Sequence, residues 1–178
     1  MRLISYLVAI VIAIVVTASF APLSLGVFIV PMGTFLIGAT FILRDLVQNK
    51  YGRNKTYIAI VVALIISALV SFLLGDTLLI VLASAISFAV SETTDTEIYT
   101  RLKLPIAWRV FYSGLVGGFF DSTIFVIIGL SPLGANFIPW EAVPFAIFGQ
   151  LFVKTIIQGM GALILNRVIN IQKPASPF

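Results

Sequence analysis

The chain has 178 residues, of which 60% are apolar and only 10% are charged, with a formal net charge of +4. Because soluble domains carry about 25% charged residues, a mean hydropathy of +1.15 excludes an ordinary globular protein and indicates an integral membrane protein. The absence of Cys and His excludes disulfides, sulfur-ligated zinc, thiolate nucleophiles and a Ser-His-Asp triad.

Six apolar segments follow one another along the chain, and each reaches the roughly 20 residues that an α-helix needs to cross the hydrocarbon core. We therefore predict an all-α fold, a polytopic membrane protein with six transmembrane helices in one domain over 1–178. The polar stretch from Arg44 to Thr56 is interpreted as a loop, and three prolines between Ser131 and Pro144 argue against a seventh helix. The predicted helices are 3–21, 23–43, 57–75, 77–99, 106–130 and 144–166.

The positions of Lys and Arg indicate the orientation of these helices. With the N-terminus in the cytoplasm, ten of the eleven basic residues fall in cytoplasmic segments and none falls in an outer loop, and this bias sets membrane topology. We expect a multi-pass protein of the cytoplasmic (inner) membrane with both termini cytoplasmic, and a positive charge that faces membrane lipid rather than nucleic acid. The ten residues are Arg2, Arg44, Lys50, Arg53, Lys55, Arg101, Lys103, Arg109, Arg167 and Lys173.

The first segment shares one property with a secretory signal peptide, because residues 17–21 loosely match a cleavage site. Its apolar run is longer than a usual signal core, and cleavage would leave five passes with a mismatched charge pattern. We therefore expect this segment to be retained as a helix.

The second segment contains Pro31, Gly33 and Thr34 near its predicted mid-depth. Proline frees a backbone carbonyl and glycine permits an opened turn, and broken helices at the midplane expose backbone polar groups to substrates in transporters. Membrane helices also tolerate Pro and Gly without such a role, so this signal is weak by itself.

Four of the charged residues inside the predicted helices are informative, because such a group costs about 2.5–3.5 kcal/mol near the bilayer centre. Asp121 and Lys154 both lie near the midplane, so a pair between them, direct or through a substrate, would lower the cost of both. A purely structural ion pair is the alternative reading. Glu92 and Asp95 lie lower in the fourth helix, where the alternative is that they simply approach the cytoplasmic interface.

Polar or small residues recur at helical spacing within three of the predicted helices. Stripes of Ser and Gly usually reflect helix packing, so only those that lead to a charged residue indicate the wall of a site. These stripes are Ser84, Ser87, Ser91 and Asp95 in the fourth helix, Gly114, Gly117, Gly118 and Asp121 in the fifth, and Gln150, Lys154, Gln158 and Gly161 in the sixth.

Several short motifs occur in a fixed order along the chain. They are P-M-G-T-F at 31–35, F-I-L-R-D-L-V-Q at 41–48 with Y-G at 51–52, S-E-T-T-D-T-E-I-Y at 91–99 with R-L-K at 101–103, D-S-T-I-F at 121–125, and Gln150 with Lys154. Together they resemble the signature of the queuosine precursor transporters, also called the vitamin uptake transporter family. The resemblance covers most of the chain from Pro31 to Lys154.

The resemblance implies six transmembrane helices and import of the deazaguanine bases that become queuosine in tRNA. These bases are 7-cyano-7-deazaguanine and 7-aminomethyl-7-deazaguanine. Some members of the family have Asp four residues before the sixth-helix Lys, whereas this chain has Gln150. The resemblance therefore leaves open which base is carried and whether protons are coupled to its transport.

A guanine-like base presents N–H donors beside a carbonyl acceptor, and a carboxylate can accept both donors. We expect Asp121 or Glu92 to bind this donor edge, with Lys154 and Gln150 donating to the carbonyl. Phenylalanine rings near these residues would stack on the flat base.

The complete set of predicted site residues has a binding part and a gating part. Arg44 and Asp45, at the cytoplasmic end of the second helix, are interpreted as a gate or a topology anchor. The candidate stacking residues are Phe88, Phe120 and Phe125. The predicted substrate-binding residues are Asp121, Lys154, Gln150, Glu92, Asp95, Thr34 and Phe125.

Two other functions remain open. A substrate-binding membrane subunit of an ATP-driven, vitamin-type uptake system would need a separate ATPase module, because the chain has no G-x-x-x-x-G-K-[ST] loop. A metal-dependent membrane enzyme would need clustered carboxylates, for which Glu92, Asp95 and Glu97 are the candidates. We expect no enzyme activity, catalytic residue, metal or cofactor. The expected partners are the small-molecule base and membrane lipid, and the small-residue faces allow a homodimer.

Overall fold

The computed structural model describes residues 2–26 and 28–172, without the side chains of residues 25 and 168–172. Lys173, which entered the charge pattern, lies outside this part of the chain. The described residues form six α-helices and one two-stranded hairpin. These elements are α1 (Arg2–Ser19), β1 (Leu23–Leu25), β2 (Phe28–Val30), α2 (Thr34–Tyr51), α3 (Arg53–Leu73), α4 (Leu78–Arg101), α5 (Ile106–Ile124) and α6 (Val143–Gln172).

Within the described residues, five helical segments are long and apolar enough to cross a membrane: Arg2–Ser19, Arg53–Leu73, Leu78–Arg101, Ile106–Leu130 and Trp140–Arg167. The helical membrane character predicted from composition is therefore confirmed. The remaining helix, α2, has a lower hydropathy because it contains three charged residues. These are Arg44, Asp45 and Lys50. Six spans, a single domain and the orientation of the termini stay predictions.

The expected helix over 23–43 is wrong in its first part, because a β-hairpin replaces it. Leu23 pairs with Val30 and Leu25 with Phe28 in an antiparallel register. Proline stands directly before and after this apolar run, and Gly26 turns the chain at a φ of +63°, so the run is too interrupted for a helix. Pro31 and Gly33 consequently precede α2, which begins at Thr34, rather than breaking a helix from within.

The expected loop from Arg44 to Thr56 is also wrong. The helix α2 continues to Tyr51, α3 begins at Arg53, and Gly52 alone separates them with a φ of +84°. This left-handed conformation costs glycine little and other residues much. The polar residues that suggested a loop belong to the helices.

The other predicted helices differ from the observed ones by a few residues. After α5 the chain continues through a π-helical turn over Phe125–Leu130, and a 3-10 turn over Trp140–Ala142 precedes α6. We call the end of the bundle that carries β1, β2 and these connections the hairpin end. The strand β2 packs against α6 at Gly149, where a Cβ atom would lie 2.9 Å from the Cβ of Phe28.

The distribution of apolar and polar side chains is that of a membrane protein. Large apolar side chains are exposed along the outer faces, among them Ile58, Leu73, Phe148 and Leu163. Charged and hydroxyl side chains are instead buried between the helices. Lipid rather than water suits such an outer surface, and the buried polar residues converge on the site described next.

Candidate functional site

A cavity of about 520 Å³ lies inside the bundle, and all six helices contribute to its wall. The wall is largely apolar, with a carboxylate from α4 and another from α5. The predicted residues that line it are Thr34, Phe88, Glu92, Asp121, Phe125 and Gln150. The widened turn that follows α5 begins at Phe125, which places this ring on the wall. Phe120, by contrast, is 36% exposed on the outside of the bundle, so its predicted stacking role is wrong.

The expected pair between Asp121 and Lys154 is direct. The ammonium Nζ of Lys154 donates hydrogen bonds of 2.6 Å to Asp121 Oδ2 and 2.7 Å to Ser122 Oγ. Lys154 is almost completely buried and does not line the cavity, whereas Asp121 does. Lys154 therefore acts on the cavity through Asp121, and the two charges balance each other one to one.

A second group of charges lies around Arg44, which is fully buried between α2 and α4. Its Nη2 atom donates a 2.7 Å hydrogen bond to Asp45 Oδ1 and forms an ion pair with Asp95 Oδ2. Its Nη1 atom lies 3.3 Å from Glu92 Oε2 and donates hydrogen bonds of 2.9 Å to the Glu92 carbonyl and to Thr96 Oγ1. We call Arg44, Asp45, Glu92 and Asp95 the Arg44 cluster.

The position of the Arg44 cluster differs from the expectation for two of its members. Arg44 and Asp45 were expected at the cytoplasmic end of a helix, but both are fully buried, in the middle of α2. Asp95 is buried with them and does not line the cavity. Glu92 belongs to both features, because it lines the cavity and also contacts Arg44.

The amide of Gln150 has a hydrogen-bond donor that the described part of the protein does not use. It is 2% exposed and lines the cavity, and its Nε2 atom has no hydrogen-bond partner among the described residues. A buried donor without a partner costs about 1–3 kcal/mol. A ligand carbonyl in the cavity would remove that cost.

The sequence model of a family described as "Putative vitamin uptake transporter" matches residues 71–167, which is more than half of the chain. The chain belongs to the vitamin uptake transporter family. Neither the curated proteins nor the solved structures give a match. Family and helical fold together indicate a multi-pass membrane transporter rather than an enzyme, and they confirm the resemblance stated from the motifs.

The region of this vitamin uptake transporter that matches the family model contains most of the charged and polar residues of the candidate site. It spans the end of α3, all of α4 and α5, and α6 as far as residue 167. Glu92, Asp95, Asp121, Gln150 and Lys154 all lie within it. Arg44 and Asp45, which complete the Arg44 cluster, lie before it.

Sequence analysis missed the contribution of α3 and of the turn that follows it. Ser67, Ser71 and Asp76 line the cavity toward the hairpin end, and the Ser71 hydroxyl donates to Asp76 Oδ2. Two serines four residues apart in an otherwise apolar helix share one face, so the spacing of Ser67 and Ser71 was a usable signal. Tyr6 of α1, fully buried beside Glu92, was also missed, because nothing in the sequence relates the first helix to the fourth.

Proposed function

We propose that this transporter imports queuosine precursors, 7-cyano-7-deazaguanine or 7-aminomethyl-7-deazaguanine, across the cytoplasmic membrane. One observation carries the proposal: Glu92, Asp121 and the unpartnered Gln150 amide converge on one cavity with aromatic walls. Its volume of about 520 Å³ falls within the range of small-molecule sites, about 300–1,000 Å³. The family match supports transport in general, and the motifs support this class of substrate.

The base is bound by complementary hydrogen bonds within the cavity. A carboxylate accepts two N–H donors of a guanine-like edge, which is the role we assign to Glu92 or Asp121. Since Lys154 occupies Oδ2 of Asp121, the ligand contact of that carboxylate falls to Oδ1. Gln150 donates to the ring carbonyl, and Phe125 stacks on the ring.

The Arg44 cluster closes the cavity at the end away from the hairpin. Glu92 lies fourteen residues into α4 from the hairpin end, about 21 Å at the helical rise, and Arg44 is fully buried directly against it. Alternating access around a site near the midplane requires such a closure to open and re-form. With the predicted orientation, this closure is the cytoplasmic gate.

The experiment is a feeding assay in cells that make no deazaguanine precursors and lack their own importer. The chain is expressed, each base is supplied at nanomolar concentration, and queuosine in tRNA is measured. We expect rescue by the chain alone. No rescue, with the protein shown to be in the membrane, would contradict unaided import of these bases, and copurification of an ATPase would then favour the subunit alternative.

The binding site is tested in the same assay with matched variants. Phe125→Ala removes a ring from the cavity, whereas Phe119→Ala removes one from the outer face of α5, which precedes Phe125 and where Phe119 is exposed. We expect Phe125→Ala and Asp121→Asn to reduce uptake at limiting base by about tenfold, the equivalent of about 1.4 kcal/mol, and Phe119→Ala to leave it unchanged. Normal import by inserted Asp121→Asn and Lys154→Ala proteins would overturn the assignment.

A further inference from the structure

We propose that the Arg44 cluster holds an exchangeable proton and that this proton enters the cell together with the transported base. The proposal rests on the function proposed above and identifies its source of energy. Its basis is the count and burial of charges at one place between α2 and α4.

The Arg44 cluster contains more acidic groups than its one guanidinium can neutralise. Asp45, Glu92 and Asp95 all contact Arg44, and all four side chains are at most 1% exposed. If every carboxyl were ionised, the cluster would carry an excess of two negative charges in the membrane interior. Uncompensated buried charge is strongly unfavourable, so the cluster must take up a positive charge.

Among the described residues, the neighbouring helices do not supply that charge. Lys154 is engaged with Asp121, and Arg109 lies over the ring of Tyr99, 4.0 Å from its centroid, and donates to the Tyr99 carbonyl. On α3, Arg53 contacts Glu97 at the surface instead. The titratable groups that face the cluster are Tyr6 from α1, Tyr99 from α4 and Asp121 from α5, while Arg109 of α5 faces Tyr99.

A proton fits this place better than a metal ion. The described residues include no group of three or more acidic side chains arranged to hold a metal. Within the cluster, Asp45 Oδ2 has no hydrogen-bond donor among the described residues. The hydroxyl of Tyr6 is fully buried beside Glu92. A proton on one carboxyl would supply a donor between such groups and remove one excess charge at once.

The position of Glu92 couples uptake of the proton to binding of the base. Of the three acidic residues in the cluster, Glu92 is the one that lines the cavity, so a proton reaches Asp45 and Asp95 from the cavity only by way of Glu92. A base that binds to ionised Glu92 displaces the shared proton onto the other two carboxyls. The three acidic groups titrate as one unit, and base and proton occupy the transporter together. The Asp121–Lys154 pair, already neutral, needs no proton.

The first test measures proton movement with purified protein in liposomes. Each deazaguanine base is added outside vesicles that contain a trapped pH-sensitive dye, with the membrane potential clamped. We expect internal acidification with base uptake, and accumulation that rises up to about tenfold for each unit of imposed pH difference at one proton per base. Glu92→Gln and Asp95→Asn should remove the pH dependence. Glu97→Gln, on the same helix but paired at the surface with Arg53, should retain it.

An assay of labelled-base exchange across the membrane, without a gradient, distinguishes failure of the proton proposal from failure of the proposed function. Exchange with no proton movement and no effect of pH would overturn the proton proposal and leave base transport standing. Absence of exchange under every condition would contradict the proposed function instead.

A second measurement needs no ligand. The infrared carbonyl band of a protonated carboxyl should be present in the detergent-purified wild type at neutral pH. It should shrink in Asp45→Asn, Glu92→Gln or Asp95→Asn protein and persist in Glu97→Gln. If the wild type lacks this band, or if none of the three substitutions alters it, the proton proposal is wrong whatever the substrate.

Discussion

The two buried charge groups of this transporter each join a basic side chain to carboxylates, but they differ in charge balance. At the Asp121–Lys154 pair, between α5 and α6, one ammonium meets one carboxylate at 2.6 Å. At the Arg44 cluster, between α2 and α4, one guanidinium meets three carboxylates. The first group is neutral, and its charges offset each other. The second carries an excess of two negative charges while all its carboxyls are ionised, so burial is far less favourable there than at the balanced pair.

The largest expected effect comes from removing the cation of the unbalanced group. Arg44→Met leaves three buried carboxylates without the guanidinium they share, and we expect a loss of about 3–5 kcal/mol in the free energy of unfolding. Arg44→Lys should recover little, because a single ammonium cannot contact all of these groups. Thermal unfolding in detergent measures both. Arg53→Met, which affects a half-exposed surface pair, is the control, and equal stability of Arg44→Met and Arg53→Met would contradict the comparison.

Removing charges from the balanced group should have a smaller effect that can be reversed. Lys154→Met leaves Asp121 without its partner and should destabilise by about 2–3 kcal/mol. The double variant Lys154→Met/Asp121→Asn removes both charges and should regain most of that stability, which a double-mutant cycle would measure. If the double variant is less stable than Lys154→Met, the pair is not the self-contained unit described above.

The smallest expected effect concerns two consecutive glycines on α5, of which one packs against α4 and the other against α6. A Cβ atom at Gly117 would lie 2.9 Å from Asp95 Cβ and 3.2 Å from the Ser91 carbonyl, whereas one at Gly118 would lie 3.6 Å from Lys154 Cδ. Gly117→Ala should therefore cost about 1–2 kcal/mol through overpacking against α4. Gly118→Ala should be neutral or stabilise by up to about 1 kcal/mol through helix propensity. Equal melting temperatures for the two variants would show that α4 and α5 are not so closely packed at this level.

The sequence alone predicted the Asp121–Lys154 pair but not the Arg44 cluster. Asp121 and Lys154 interrupt strongly apolar helices, so counting residues along each helix placed them at one depth. A helix predicted from hydropathy ends at the first charged residue. Arg44 and Asp45 therefore fell just outside the predicted second helix. Their burial depends on Glu92, Asp95 and Thr96, which are about fifty residues away along the chain.

The hairpin was missed for a different reason. A short apolar run has no periodicity that distinguishes a strand from a buried helix, and the expectation of a membrane span favoured the helix. Gly26 and the prolines on either side of the run were the contrary signals. The same interruption explains why α2 begins as late as Thr34, and thereby why Arg44 lies in the middle of a helix rather than at its end.

The short and charged helix α2 also has a consequence for how the protein is made. Its eighteen residues extend about 27 Å, less than the roughly 30 Å of hydrocarbon, and its three charged residues each oppose insertion. During synthesis the insertion machinery selects segments by their hydrophobicity, so α2 has little tendency to enter the bilayer alone. We expect α2 to remain at the membrane surface until α4, which carries Glu92 and Asp95, has been synthesised. The two helices then insert into the bilayer together.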